Sequence, residues 1–231
     1  MNTVKGLLLC IFQYFNSKEI LTVIMRTISS AALIFISSIL QLNAQSLAGE
    51  YYLQGVMETA SGFKLNTDSS FEFYFSYGAL DRYGSGKWSV NKDSIIFNSK
   101  QYPGKDFKLV NSVAATNNVS VLKIENANTN LYRLVYCRFK SADTDTIINF
   151  DEDGTLVFPF AVDSIELLSE LCSERSSTFA VNAKPSVYTF NFEPWILEVF
   201  FNNHALHYSD DYLEGRHPLL DDKIYRFNKE K

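Results

Sequence analysis

The chain has little of what catalytic and metal sites are usually made from. Its 231 residues hold three Cys and three His. No Cys-x-x-Cys pair occurs, which excludes a zinc ribbon and a thioredoxin-type redox motif. Gly-x-Ser-x-Gly, His-Glu-x-x-His, a Walker loop and Gly-x-Gly-x-x-Gly are missing too, so no nucleophile elbow, zincin helix or nucleotide cradle is written in the chain. Basic residues are scattered singly and the net charge is −5. A nucleic-acid binder needs a basic stripe, and an anionic membrane surface attracts the same feature; neither is an expected partner.

Aromatic side chains are plentiful. Nineteen Phe and thirteen Tyr within a 46% hydrophobic composition favour strands, because these rings pack well on a pleated, half-buried surface. Before the strands comes an apparent leader. From Met25 the chain reads MRTISSAALIFISSILQLNAQ: one arginine, an apolar stretch from Ile28 to Leu40, and a small residue at Ala44. That is the pattern of a secretory signal cleaved after Ala44, with translation starting at Met25 and residues 1–24 an upstream extension. The rival is an uncleaved anchor over Ile20 to Leu40, against which Arg26 and the processing-like end both count. Export places the mature chain in the periplasm or on the cell surface of a Gram-negative bacterium. In that oxidising setting Cys137 and Cys172 can form one disulfide; the alternative is two small, buried apolar side chains.

The mature chain alternates apolar and polar residues in short runs. Ser70-Phe71-Glu72-Phe73-Tyr74-Phe75 is the clearest, and Lys87–Val90 and Ser94–Phe97 continue it. Turn clusters separate them, at Asn66–Ser69, Tyr83-Gly84-Ser85-Gly86 and Asn91–Asp93. After a break near Gln101–Asp106 and a small, polar stretch from Asn111 to Asn118, further strands are expected, among them Tyr132–Phe139, Ser164–Leu168, Val187–Phe192, Ile196–Phe201 and Lys223–Phe227. The expected fold is all-β: an antiparallel meander or small barrel over residues 45–110, followed by a β-sandwich over 111–231.

Two family resemblances fit that division. Gly49-Glu50-Tyr51, Phe63 to Phe73, Gly86-Lys87-Trp88 and Asp93 to Phe97 resemble the lipocalin-like meanders of bacterial envelope proteins. The stretch from Val119 to Phe192, centred on Phe150-Asp151-Glu152-Asp153-Gly154, is similar to transthyretin-like, carboxypeptidase-regulatory-like sandwiches, whose implied role is structural or adhesive. Asp93-Ser94-Ile95, Asp145-Thr146-Ile147 and Asp163-Ser164-Ile165 resemble the O-glycosylation sequon of exported Bacteroidetes proteins; an Asp-Ser or Asp-Thr turn entering a strand explains each string equally.

Candidate site residues fall into two groups. Phe63, Leu65, Phe71, Phe73, Phe75, Trp88 and Ile96 would line an apolar pocket in the first part, or serve as its plain core. His204, His207 and His217 lie within 14 positions of one another, and with Asp210 they offer ligands that zinc accepts. Three residues apart on a strand, however, His204 and His207 point to opposite faces, which favours a polar hairpin. No cofactor is expected. The expected function is that of an exported, noncatalytic binding or structural module taking a small apolar ligand or an envelope component, the alternative being a hydrolase or metal-dependent enzyme built from scattered Asp, Glu and His.

Overall fold

The structure, a computed structural model, describes residues 47–116, 119–126, 128–141, 144–159, 164–181 and 185–231. The expected leader, the extension before it and Asp163 lie outside the described residues. Gly49–Leu65 and Ser70–Lys231 form one compact body. The other unit is described only at Leu47, Ala48 and the Asn66–Ser69 turn, where the Ser69 N–H donates to the Asn66 carbonyl at 3.1 Å.

Five short strands open the main body: β1 (Gly49–Leu53), β2 (Thr59–Leu65), β3 (Ser70–Tyr77), β4 (Leu80–Asn91) and β5 (Ser94–Asn98). Each pairs antiparallel with the next, as short alternating runs joined by tight turns should. Three strands from the far end of the chain complete this sheet: β14 (His204–Tyr208), β15 (Tyr212–Arg216) and β16 (Ile224–Lys229). β14 pairs with β5, placing Ala205 opposite Ile96, and β16 pairs with β1, placing Tyr51 opposite Lys229. The result is a closed eight-stranded barrel. This corrects the expected boundary at 110/111, since the last three strands belong to the first body. A five-stranded meander leaves unpaired N–H and C=O rows along β1 and β5, and the C-terminal hairpins satisfy both.

The barrel is solid. Inward positions along β2 and β3 carry Phe63, Leu65, Phe71, Phe73 and Phe75, all buried. The Phe63 ring lies 4.9, 4.7 and 5.1 Å from the rings of Phe73, Phe97 and Phe227. Phe201, from the segment that returns to the barrel, adds a ring 5.1 Å from Phe71 and 5.3 Å from Phe73.

Gly84 and Gly86 make room for this filling. They sit inside β4 rather than in the expected turn. A Cβ on Gly84 would stand 2.8 Å from the Phe201 ring and 2.8 Å from the Val199 carbonyl oxygen; one on Gly86 would stand 2.1 Å from the Asn98 carbonyl oxygen. Glycine in a strand here marks close approach of another chain segment.

Between β5 and β14 the chain builds the second body. One sheet runs in the order β10 (Thr155–Phe158), β7 (Ser120–Ile124), β13 (Ser186–Phe192), β6 (Phe107–Ala114); the other runs β12 (Ser176–Ala180), β11 (Ser164–Ser169), β8 (Val135–Ser141), β9 (Thr144–Asn149). Rings meet across the two sheets, Phe139 against Phe158 at 4.6 Å and Phe179 against Phe190 at 4.8 Å, and one apolar cluster joins both faces. Cys137 on β8 and Cys172, in the 3-10 turn Glu170–Cys172, belong to this cluster as free, buried thiols. The expected disulfide is therefore replaced by its alternative, two small apolar core residues. Burial pushes both thiols up, Cys172 to about 12. Two further expectations change: Tyr132–Leu134 lies in a 3-10 turn, Thr129–Leu134, before β8, and β6 occupies part of the stretch read as small and polar.

The strand expected at Ile196–Phe201 is instead a turn followed by a single parallel bridge, Glu198 to Tyr83 of β4. Ile196 N–H donates to Glu193 O and Glu198 N–H to Trp195 O; Val199 N–H then reaches Tyr83 O at 2.7 Å. Arg175 holds this segment. Its guanidinium donates to the carbonyls of Glu198 (2.6 Å) and Ile196 (3.0 Å) and forms a two-nitrogen ion pair with Asp106 (3.0 and 2.9 Å), which lies just ahead of β6 on the outgoing segment. Asp106 is 1% exposed and also accepts from the Tyr102 hydroxyl. Beside it, buried Arg82 of β4 makes a bidentate pair with Glu174 at 2.8 and 2.6 Å. Removing one partner from a buried ion pair leaves the other charge uncompensated. Arg175→Ala should therefore lower unfolding stability by about 3–5 kcal/mol in urea titration, whereas Arg226→Ala, which breaks the exposed pair with Glu214, should leave the urea midpoint close to that of the wild type.

Candidate functional site

Six of the seven expected pocket residues, Phe63, Leu65, Phe71, Phe73, Phe75 and Trp88, face the barrel interior. There they fill space instead of enclosing it. Ile96 faces the other way, because Ile95 and Phe97 take the inward positions of β5. Two adjacent isoleucines leave the choice of face open in the sequence. Pairing of Phe97 with Trp88 across β4 and β5 decides it.

The histidines separate as strand geometry requires. His204 shares the inner face with Leu206, its ring 5.6 Å from Phe201, while His207 is half exposed on the outer face, 3.7 Å from Asp93. Asp210 is exposed in the turn after β14, and His217, just past β15, is buried. The four do not converge. Among the described residues, no group of three His, Cys, Asp or Glu side chains is placed to hold a metal ion.

His217 pairs with Ser61, and the pair resembles a nucleophile and its base until the protons are placed. The His217 Nδ1 accepts from the Leu219 N–H at 3.0 Å, so in the neutral ring the proton sits on Nε2. That nitrogen lies 3.0 Å from Ser61 Oγ, and the Ser61 hydroxyl donates to the Tyr74 carbonyl at 2.8 Å. The ring donates to the serine and cannot take its proton. Both groups are sealed, at 4% and 1% exposure, and the ring stacks on Phe227. Burial, helped by His204, lowers the His217 pKa from 6.5 to about 4. This is a structural histidine, satisfied at both nitrogens inside an aromatic core.

Several concavities are open on the main body. One, about 580 Å³, lies where the barrel mouth meets the sandwich. Met57, Phe75, Leu80, Leu219 and Leu220 supply apolar walls, and Arg82, Glu170 and Glu174 supply charge. Met57 is 85% exposed and hangs over the opening. Arg82 Nε is a buried donor with no hydrogen-bond partner, although the terminal nitrogens of the same guanidinium are engaged by Glu174. Another, about 450 Å³, lies on the outer face of β1–β4 among Glu50, Tyr52, Lys64, Glu72, Tyr74, Tyr83 and Ser85.

No family model, curated protein or solved structure matches this chain. Its architecture, an all-β chain with a closed eight-stranded barrel and two further sheets, therefore stands on the strand pairings alone. No helix among the described residues is long and apolar enough to cross a membrane.

The neutral, buried His217 makes stability depend on pH. The unfolded chain takes up a proton near pH 6.5 and the folded chain only near pH 4, so the unfolded state binds more protons between those values. Its contribution is complete above pH 6.5 and is lost as pH falls toward 4, up to about 3 kcal/mol at 1.36 kcal/mol per pKa unit. Urea titrations at pH 7 and pH 4.5 should show this loss in the wild type and a smaller one in His217→Gln, which keeps a donor and an acceptor but does not titrate.

Proposed function

We propose that this chain is an exported, noncatalytic binding protein of the Gram-negative envelope, and that the mouth cleft seats a small apolar molecule carrying a polar acceptor at one end. One observation carries the reading: the barrel interior is full, while a concavity walled by Phe75, Leu80 and Leu220 with Arg82, Glu170 and Glu174 on its lining stands open at its mouth. An acceptor head at Arg82 with an apolar body against Phe75, Leu80 and Leu220 answers both halves of the lining. Clefts at the meeting of two bodies, apolar with a few fixed polar groups, are the common form of small-molecule sites.

The likeness of residues 49–98 to lipocalin-like meanders supports the envelope setting of this reading; with the barrel filled, the ligand sits at the mouth, a common place for binding on β-barrels. The sandwich, with its likeness to transthyretin-like modules, then supplies one wall of the cleft and a structural or adhesive attachment to an envelope component. Export rests on the leader-like residues 25–44.

Two measurements test these statements. Expressed from the full gene in a Gram-negative host, the protein should be recovered from the periplasmic or surface fraction with a mass that begins at Gln45; recovery from the cytoplasm with residues 25–44 intact would overturn export. Native mass spectrometry of that material should show a bound small molecule, and a fluorescent fatty-acid probe should bind reversibly. Leu220→Arg, which places a large charge on the cleft wall, should weaken the probe at least tenfold without lowering the melting temperature. An unliganded protein that ignores the probe, or equal binding by the variant, would overturn the mouth site.

A further inference from the structure

The outer face of β1–β4 carries a pattern that barrel packing does not require. Register aligns Tyr52 with Gly62, Gly62 with Tyr74 and Tyr74 with Tyr83. Three tyrosines and one glycine thus form a single row across four strands. Two residues further along each strand, on the same face, a second row follows: Glu50 opposite Lys64, Lys64 opposite Glu72, Glu72 opposite Ser85. The 450 Å³ concavity lies over these two rows.

The aromatic row stays open to solvent. Tyr74 is 40% and Tyr83 52% exposed. The glycine lets Tyr74 lie down: a Cβ on Gly62 would stand 2.8 Å from that ring, and the Tyr52 and Tyr74 rings meet edge to face at 6.4 Å above it. Covering Gly62 gives Tyr74 a structural task. It gives none to Tyr83, whose half-exposed ring extends the platform by one strand. Beside the rings the polar groups are held in place. Glu50 accepts from the Tyr52 hydroxyl at 2.5 Å and pairs with Lys64 at 3.4 Å, and these two partners hold its carboxyl below the usual range.

The geometry points to a binding site for a short, neutral oligosaccharide on this face, separate from the mouth cleft. A pyranose ring presents an apolar C–H face that rests on an aromatic ring and an equator of hydroxyls that both donate and accept. Tyrosine rings suit the first, with their large apolar faces and polar tips. Glu72 and Glu50 suit the hydroxyl donors; Lys64 and Ser85 suit the acceptors. Charge selects against other flat or extended ligands. With two carboxylates against one ammonium, the row repels phosphate, sulfate and uronate, which disfavours nucleic acid and acidic glycans. A peptide added as a strand needs a free sheet edge, and a closed barrel has none. Four strands at 4.7–4.9 Å spacing set the row at roughly 14 Å, a length for several sugar units and not one.

Isothermal titration of the mature protein with maltohexaose, cellohexaose, mannohexaose, xylohexaose and chitohexaose, with polygalacturonate as the acidic control, tests the assignment. At least one neutral series should bind and polygalacturonate should not. Tyr83→Ala should weaken that binding at least tenfold and Glu72→Gln severalfold. Tyr83→Phe should stay within about twofold, because the ring face is kept, and Leu220→Arg should bind sugar as the wild type does. No neutral binding, binding unchanged in Tyr83→Ala, or equal binding of polygalacturonate would overturn the site. Because Tyr83 covers no glycine and its ring packs on the surface, Tyr83→Ala should keep the wild-type melting temperature; a variant that unfolds would show the ring to be structural and would overturn the assignment as well.

Discussion

Arg175 holds the two places where the chain crosses between barrel and sandwich. Its guanidinium reaches the outgoing segment through Asp106 and the returning one through the carbonyls of Ile196 and Glu198. The barrel depends on that return, because β5 and β1 each keep one free edge until β14 and β16 arrive. Closing a long excursion costs little more entropy than closing a short one, since the cost rises only with the logarithm of length. What matters is that the ends of the excursion be fixed relative to one another. A charge is suited to this when each nitrogen is engaged: Arg175 Nε bonds Asp106, Nη1 and Nη2 bond the two carbonyls, and its face lies over the rings of Tyr102 and Phe200. Fixing the return also delivers Phe201 into the barrel over Gly84, so the clamp and the filling of the core are one event.

A filled barrel leaves its concavities at its boundaries. Lipocalin-like binding needs a hollow, and here Phe63, Phe97, Phe201 and Phe227 leave none at the centre. Two histidines share that space, and the low pKa of His217 follows from the same packing: a ring against Phe227, with both nitrogens bonded and no carboxylate beside it, has nothing to stabilise a positive charge. The sealed state of the Ser61–His217 pair follows from that packing as well. Chemistry by an imidazole base would need an acceptor nitrogen facing an accessible hydroxyl, and the proton placement forbids it.

Much of the strand content was legible in the sequence, because a period of two in Phe71, Phe73 and Phe75 allows only a half-buried sheet. The membership of the strands was not. Val187–Phe192 and Lys223–Phe227 look alike as runs, yet one lies in the sandwich and the other ends in the barrel wall. Pairing partners far apart in sequence leave no local mark. Glycine misled for a related reason: Gly84 and Gly86 read as a turn because the segments that need their emptiness, Val199–Phe201 and Asn98, lie elsewhere in the chain. Ile95 and Ile96 were equivalent until Trp88 fixed which neighbour faced inward. The Ile196–Phe201 run has the composition of a strand, but its backbone bonds are scattered over its own turn, Tyr83, Ser99 and the Arg175 guanidinium.

The same alternation that fills the barrel writes its outer surface, so each strand carries two messages. On β3, Phe71 and Phe73 point in and Glu72 and Tyr74 point out; on β2, Phe63 points in while Gly62 and Lys64 point out. The inner message is enforced by packing, since one slipped residue would turn the phenylalanines to water. Packing does not constrain the outer message in this way, and tyrosine set beside glutamate, lysine and serine is a choice that burial does not explain. At the mouth the two bodies meet in a different manner. Arg82, from the barrel, and Glu174, from the sandwich, are held by each other, so a ligand in the proposed cleft would lie across the junction and add its binding energy to the clamp that Arg175 provides nearby. Binding there and the integrity of the junction are then linked, whereas the tyrosine row, carried entirely by β1–β4, is free of that coupling.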